Sequence, residues 1–353
     1  MRSVFYAAAG GIVASHALLV EQALGGDVQR DDLVFSYGYP GNRTPYSRTR
    51  VLTPNTYYWM TANVIARFWP IVAPPVREVD EVATEILRAA STALQQMSQN
   101  RIVNMALTAG LDSRVILAVG LHAGIDFHTY TYGVNKATAL DRAFAPDLAA
   151  HAGVNHTLVP RGDVSDEFKA ALSRVHYSSH HRGAVSGLAR FFGTPDTVAV
   201  TGNLLEIGRS FYSRFRDSLP APVSAEDMTR LHVASMPPRV QKNIDQYGEQ
   251  QYLSVAHNAF QEFLDTTGYR IIDGLVDPFD LFYWEHRMGT WHGPAMLERD
   301  FYGVAFIPFN ARSIFEATLG VSQKGRDDSS VFYRLIEMVE PKLLDFPVNP
   351  KTW

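Results

Sequence analysis

The chain has 353 residues, a length that accommodates one large or two moderate domains. With 46% hydrophobic and 19% charged residues it has the composition of a packed globular protein, which excludes the disordered, collagenous and disulfide-stapled classes. A formal net charge of -4 supplies no broad positive field for nucleic acid or an anionic membrane, and the absence of Cys excludes disulfides, thiolate metal sites, Cys nucleophiles and persulfide carriers.

At the start, Arg2, the apolar run Val4 to Val13 and Ala14-Ser15-His16-Ala17 have the outline of a signal peptide. A single Arg and the interior Gly10-Gly11 pair instead predict a strand and turn, and a cytoplasmic location is expected. No uncharged apolar run reaches the roughly 18 residues of a membrane-spanning helix, so no membrane partner is expected. From Met1 to about Ala73, short apolar stretches broken by Gly25-Gly26-Asp27, Gly38-Tyr39-Pro40-Gly41-Asn42 and Pro54-Asn55 predict a small, mostly β region. Pro74-Pro75 closes it, which divides the chain into residues 1–75 and 76–353.

Glu78 to Gln99 has helical spacing, with Val82, Ile86, Leu87 and Leu94 on one side. Ile102 to Leu107 reads as a buried strand, Ser113 to His122 as a helix stopped at Gly124, and Phe127 to Tyr132 as a second strand. A helix from about Leu140 to Ala152, a helical stretch from Ser165 to Phe192 and a third strand at Thr197 to Thr201 follow. The predicted fold is therefore α/β, a parallel sheet with flanking helices and right-handed crossovers. Beyond Ser224 the spacing is helical, near Asp227 to Val233, Gln250 to Thr266, Pro278 to Trp291 and Ser330 to Val339. The aromatic groups Tyr57-Tyr58-Trp59 and Phe282-Tyr283-Trp284 are expected in the core.

Between the first buried strand and its helix lies Thr108-Ala109-Gly110-Leu111-Asp112-Ser113-Arg114. Unpaired amides and the dipole of a helix start favour an anion there. Small Ala109 and Gly110 allow close approach, Thr108 and Ser113 add hydroxyls, and Asp112 offers a carboxylate for Mg²⁺. On spacing alone, Asp112 is equally consistent with a helix cap. His176 and His180 fall at helical spacing beside His181, which fits a metal pair, a polar helix face or the lining of a substrate pocket, and no nearby Cys or close acidic residue completes a ligand set.

Leu107 to Arg114, L-T-A-G-L-D-S-R, resembles the pyrophosphate loop S-G-G-L-D-S of the C-terminal synthetase domain of asparagine synthetases and their β-lactam synthetase and lasso-peptide cyclase relatives. Thr108 stands for the first Ser, Ala109 for the first Gly, and Gly110, Leu111, Asp112 and Ser113 match. Gly202-Asn203-Leu204-Leu205-Glu206 resembles the family's second metal motif, with Leu204 in place of a Gly and Glu206 where a Mg²⁺-binding Asp stands. Phe127 to Gly133 and Asp141-Arg142-Ala143 resemble the segments around the adenine pocket. Glu285-His286-Arg287-Met288, Ile307-Pro308-Phe309-Asn310, Val339 to Leu344 and Asn349-Pro350-Lys351 resemble later family stretches. Leu33 to Tyr39 and Arg50 to Asn55 are similar to the closing part of the family's glutaminase domain, here without its Cys nucleophile.

The resemblance implies an adenine nucleotide alpha-hydrolase-like fold of the N-type ATP pyrophosphatases and an AMP-forming amide ligase that uses ATP and Mg²⁺. It implies nucleotide contacts at Leu107 to Ser113, Tyr132 and Gly202, and Mg²⁺ at Asp112 and Glu206, with Glu206 also catalytic. Lys351 or Arg114 is expected on developing negative charge, with Arg209 and Arg287 as further candidates. The substrates are expected to be a small-molecule or peptide carboxylate and an amine or ammonia, the latter from solution, a separate protein or a second copy of the chain. A non-catalytic scaffold and a nucleotide-dependent RNA- or sulfur-modifying enzyme of the same fold are the alternatives.

Overall fold

The computed structural model describes residues 2–28, 30, 35, 37–133, 138–177, 182–194, 196–272 and 274–350. At the front, β1 (Phe5–Ala7) pairs antiparallel with β2 (Val13–Ala14) and β3 (Thr49–Val51). The reversal between β1 and β2 needs glycine: Gly10 and Gly11 hold φ of 93° and 82°. Helix α1 (Ala17–Leu24) lies on this sheet. Phe5, Val20 and Val51 share their core with Tyr177, Ile244, Tyr252 and Leu297, so the front sheet is seated on later parts of the chain.

A separate antiparallel ribbon follows, β4 (Thr56–Trp59) with β5 (Val64–Arg67). Here the expectation of a core aromatic trio fails. Tyr57 and Trp59 are 47% and 58% exposed, because alternation along the ribbon turns them to a face that no other layer covers. Phe282, Tyr283 and Trp284 are buried as expected.

Helix α2 (Val79–Ser98) buries Val82, Ile86, Leu87 and Leu94, the stripe its spacing predicts. The central sheet is all parallel, in the order β10-β9-β6-β7-β8. Its strands are β6 (Ile102–Ala106), β7 (His128–Tyr132), β8 (His156–Val159), β9 (Thr197–Val200) and β10 (Val304–Phe306). Strands β8 and β10 were not expected. They are edge strands of four and three residues, too short and too incompletely buried to leave an apolar run.

Helices α3 (Leu111–Ala123) and α4 (Ala139–His151) make the crossovers from β6 to β7 and from β7 to β8. The return from β8 to β9 uses two helices, α5 (Asp166–Val175) and α6 (Arg182–Phe192), where one stretch was expected. Helix α5 ends because His176 is extended, with φ -137° and ψ 127°. His176 is therefore not part of a helical face, and His180 and His181 lie outside the described residues.

The C-terminal part is helical: α7 (Ala225–Ala234), α8 (Gln241–Tyr247), α9 (Glu249–Thr266), α10 (Pro278–Phe282), a π-helical run over Tyr283–His292, α11 (Gly293–Ala295), α12 (Arg312–Leu319), α13 (Gln323–Asp327) and α14 (Ser330–Val339). Helix α14 packs across α2 and α3, closing the main core over the sheet. Among the described residues no helix is long and apolar enough to cross a membrane. The strand order reverses direction between β6 and β9. In an open parallel sheet, the crevice outside the carboxyl ends of two such strands is where ligands bind.

Candidate functional site

Two loops border that crevice, residues 107–110 after β6 and residues 201–206 after β9. Leu107 anchors the first. Its N–H donates to Tyr130 O at 2.8 Å and its carbonyl accepts from the Thr131 hydroxyl at 2.5 Å. Both main-chain groups of Leu107 are thus committed to β7 and its side chain to the core, so it supports the loop and does not face a nucleotide as expected.

Beyond Leu107 the loop is closed by its own hydroxyls. The Thr108 N–H donates to Ser113 Oγ at 3.1 Å, the two hydroxyls lie 2.9 Å apart, and the Gly110 N–H donates to Thr108 Oγ1 at 3.1 Å. Gly110 is the N-cap of α3, extended and without a side-chain cap. The amides of Leu111, Asp112 and Ser113 therefore open the helix without intrahelical acceptors, at the positive end of its dipole. One donor is already taken: the Ala109 N–H gives its hydrogen bond to Asp141 Oδ1 at 3.0 Å. Asp141 comes from the first turn of α4, and only the Asp141-Arg142-Ala143 stretch hinted at it.

The second loop can approach the first because of a glycine. A Cβ on Gly202 would stand 2.2 Å from the Asp112 carbonyl oxygen, so any side chain there forces the loops apart. Leu204, where the resembling family has Gly, carries φ 76°, the left-handed conformation that glycine adopts without cost. It is held there by full burial in the main core.

The short helical turn Leu205–Gly208 then brings Glu206 to Asp112. Arg209 sits with them, its Nη2 at 3.4 Å from Asp112 Oδ1 and 4.0 Å from Glu206 Oε1. Burial, and then the negative charge of Glu206, push the Asp112 carboxyl up to about 7, with Arg209 opposing them. Arg209 Nη2 donates to Asp112 Oδ2 at 3.4 Å, which leaves Asp112 Oδ1 buried without a hydrogen-bond partner. Burial, and then the negative charge of Glu206, raise the Tyr283 phenol well above the ordinary range, which keeps it protonated beside the pair.

The cations expected here divide sharply. Arg209 is at the carboxylates. Arg287 is stacked 4.0 Å from the centre of the Tyr37 ring, 4.8 Å from Phe211 and 5.0 Å from Trp291, an aromatic cage rather than an anion site. Arg114 corrects the expectation. It is 0% exposed, and both of its Nη groups are taken by the carbonyls of Ala109, Leu343, Phe346 and Pro347, while its Nε is buried without a partner, so it is held inside the core rather than presented to a substrate anion. Lys351 lies outside the described residues.

A cation missing from the sequence reading is Arg299. Its Nη1 donates to Thr201 Oγ1 at 3.1 Å and its Nη2 to Asn203 Oδ1 at 3.4 Å, bracing the second loop. Tyr132 is half-buried at the carboxyl end of β7. Among the described residues no group of three or more His, Cys, Asp or Glu converges as a metal cage. A pair of carboxylates with an unsatisfied oxygen nevertheless suits Mg²⁺, which usually takes one or two carboxylates and completes its shell with water and phosphate.

Residues 85–185 match the family model for asparagine synthase. The match takes in the first loop, Asp112 and Asp141 but stops before Glu206, and it supports an ATP-using ligase. A search of curated proteins finds no match. Among solved structures, the chain is 15% identical to the glutamine-dependent NAD+ synthetase from Acinetobacter baumannii in complex with ADP, over 64% of this chain and 55% of that one, at a TM-score of 0.27. It is 11% identical to NMN synthetase from Francisella tularensis, over 78% of this chain and 98% of that one, again at a TM-score of 0.27. The chain thus spans little more than half the length of the Acinetobacter protein.

Proposed function

We propose that this chain is an AMP-forming amide ligase that adenylates a carboxylate with ATP and passes the acyl group to an amine or ammonia. The observation that carries this reading is the convergence of Asp112 and Glu206 beside the uncapped start of α3. Amides that have lost their intrahelical acceptors bind phosphate oxygens, and two crowded carboxylates demand a cation. A triphosphate carrying a divalent metal satisfies both at once.

In this reading the amides of Leu111, Asp112 and Ser113 and the hydroxyls of Thr108 and Ser113 hold the two phosphates that leave as pyrophosphate. Asp112 and Glu206 hold Mg²⁺, which when bound neutralises charge on the phosphate oxygens. Arg209 faces the same negative charge as it moves onto the leaving group, and Lys351 takes that role by resemblance. A substrate carboxylate oxygen bonds to the α-phosphorus as the bond to the β-phosphate bridging oxygen breaks. The amine nitrogen then bonds to the acyl carbon, loses a proton, and AMP departs. With no Cys in the chain, the amine is free ammonia, a second substrate or the product of a partner protein.

A non-catalytic scaffold has one observation in its favour, the Asp141 carboxylate on the Ala109 N–H, a donor the loop would otherwise offer to phosphate. Incubating the protein with ATP, Mg²⁺ and pools of small and peptide carboxylates, and following AMP and pyrophosphate, decides between them. The ligase reading expects both products, and their loss in Asp112→Ala. An intact protein that neither binds ATP nor releases AMP is the scaffold.

A further inference from the structure

We propose that Arg114 is a positioning residue, which fixes the donor orientation of the anion loop by clasping the C-terminal segment 343–349 onto it. The inference deepens the ligase reading and rests on it for its catalytic consequence, though not for its geometry.

Arg114 is in the first turns of α3 and is completely buried. Among the described residues no carboxylate lies within ion-pair distance of it, and burial lowers its pKa. A buried cation of this kind is costly, and a well-packed apolar side chain would fill the space with less penalty. What it gains is a fork of charge-assisted hydrogen bonds. Nη1 donates to Leu343 O at 2.9 Å and Phe346 O at 2.7 Å, while Nη2 donates to Pro347 O and, at 3.2 Å, to Ala109 O. One guanidinium therefore joins the loop to chain more than two hundred residues away.

The Ala109 carbonyl is the point where this matters. It accepts from Arg114 and also from the Asn349 N–H at 3.0 Å, so both of its lone pairs are held on the side of the C-terminal segment. Because the peptide is planar, fixing that oxygen fixes the Gly110 N–H on the opposite side, where it donates to Thr108 Oγ1. A flip of this one peptide would put a carbonyl where the Gly110 N–H now meets Thr108 Oγ1, breaking the hydrogen bond that closes the loop beside the open amides of Leu111 to Ser113. Asn349 also closes over the turn: a Cβ on Gly110 would come 3.3 Å from its Oδ1. Arg114 thus acts through Ala109 and the segment it pins.

Arg114→Lys tests the clasp, since an ammonium cannot reproduce the planar fork. Hydrogen–deuterium exchange of the full chain without ligand is the primary readout. The expected result is faster exchange in residues 343–350 and, with it, in the amides of 108–113, while α2 and β6 keep their protection. A chain ending at Asp345, which leaves Arg114 in place but removes Phe346, Pro347 and Asn349, is expected to loosen the same loop amides. In turnover, the lysine variant should lower kcat and raise KM for ATP by about tenfold, leaving KM for the carboxylate unchanged. Unchanged exchange in the loop in both variants overturns the proposal. If wild-type protein shows no ATP-dependent activity the ligase reading falls, but the exchange comparison still decides the clasp.

Discussion

Replacing Asp112 with Asn should stabilise the protein at high pH while abolishing its response to nucleotide. The Asp112 carboxyl is pushed from its ordinary 3.8 up to about 7 by burial and by Glu206. An acid whose folded pKa lies above its unfolded value retains protons in the native state that the unfolded chain has lost. Stability therefore falls as pH rises from the lower value through the upper, and the loss is complete above about pH 7. At about 1.4 kcal/mol for each pKa step, the interval from 3.8 to about 7 sets a ceiling of about 4 kcal/mol. Sharing of the proton with Glu206 and loss of a favourable charge at the start of α3 reduce the expected gain to about 2 kcal/mol. Urea unfolding of wild type and Asp112→Asn at about pH 5 and about pH 8 measures it. The gain should be clearly larger at the higher pH than at the lower, where only about a third of the penalty has accrued, and Mg²⁺ with ATP should stabilise only the wild type. A variant no more stable than wild type at the higher pH would refute the placement of two crowded carboxylates.

Three further outcomes follow from the packing. Gly202→Ala places a methyl 2.2 Å from the Asp112 carbonyl and should weaken Mg²⁺-dependent ATP binding by at least about tenfold, measured by calorimetry. Glu285→Gln breaks a buried bidentate pair in which Arg67 lies 2.6 Å from Oε1 and 2.7 Å from Oε2, and the charge stranded on Arg67 should cost about 3–5 kcal/mol in urea unfolding. Leu204→Gly relieves a φ of 76°, worth about 1 kcal/mol, but empties a buried core position, so a net loss of about 2–4 kcal/mol is expected. A stabilised Leu204→Gly protein would show that backbone strain, not burial, dominates at that position.

The parts of the fold and site that were legible in the sequence are those set by neighbours along the chain. The junction on which the proposed phosphate cradle rests is a buried strand, small residues, hydroxyls and a helix start in immediate succession, and the stretch Ile102 to Ser113 supplies all of them locally. Helix α2 announced itself in the same way, through twenty residues of unbroken spacing. Glu206 was legible only through resemblance, because nothing local links a residue after β9 to one after β6. Arg114 was misread for the same reason: its decisive partners lie 229 to 233 residues away, and a loop-adjacent Arg looks the same whether it meets phosphate or carbonyls. Tyr57 and Trp59 were misplaced because an aromatic run does not reveal whether a second layer covers its ribbon. His176 was misplaced because α5 stops one residue before it, which moved it off the helical face its spacing suggested.

The central claim is that the start of α3 and the Asp112–Glu206 pair together bind a nucleotide through a divalent cation. Isothermal titration of ATP into the purified chain, with and without Mg²⁺, and into Asp112→Ala with Mg²⁺, tests it most directly. The account predicts saturable binding that requires Mg²⁺ and disappears in the variant. Binding that is equally strong without Mg²⁺ or in Asp112→Ala, or no binding to the folded wild type, contradicts it.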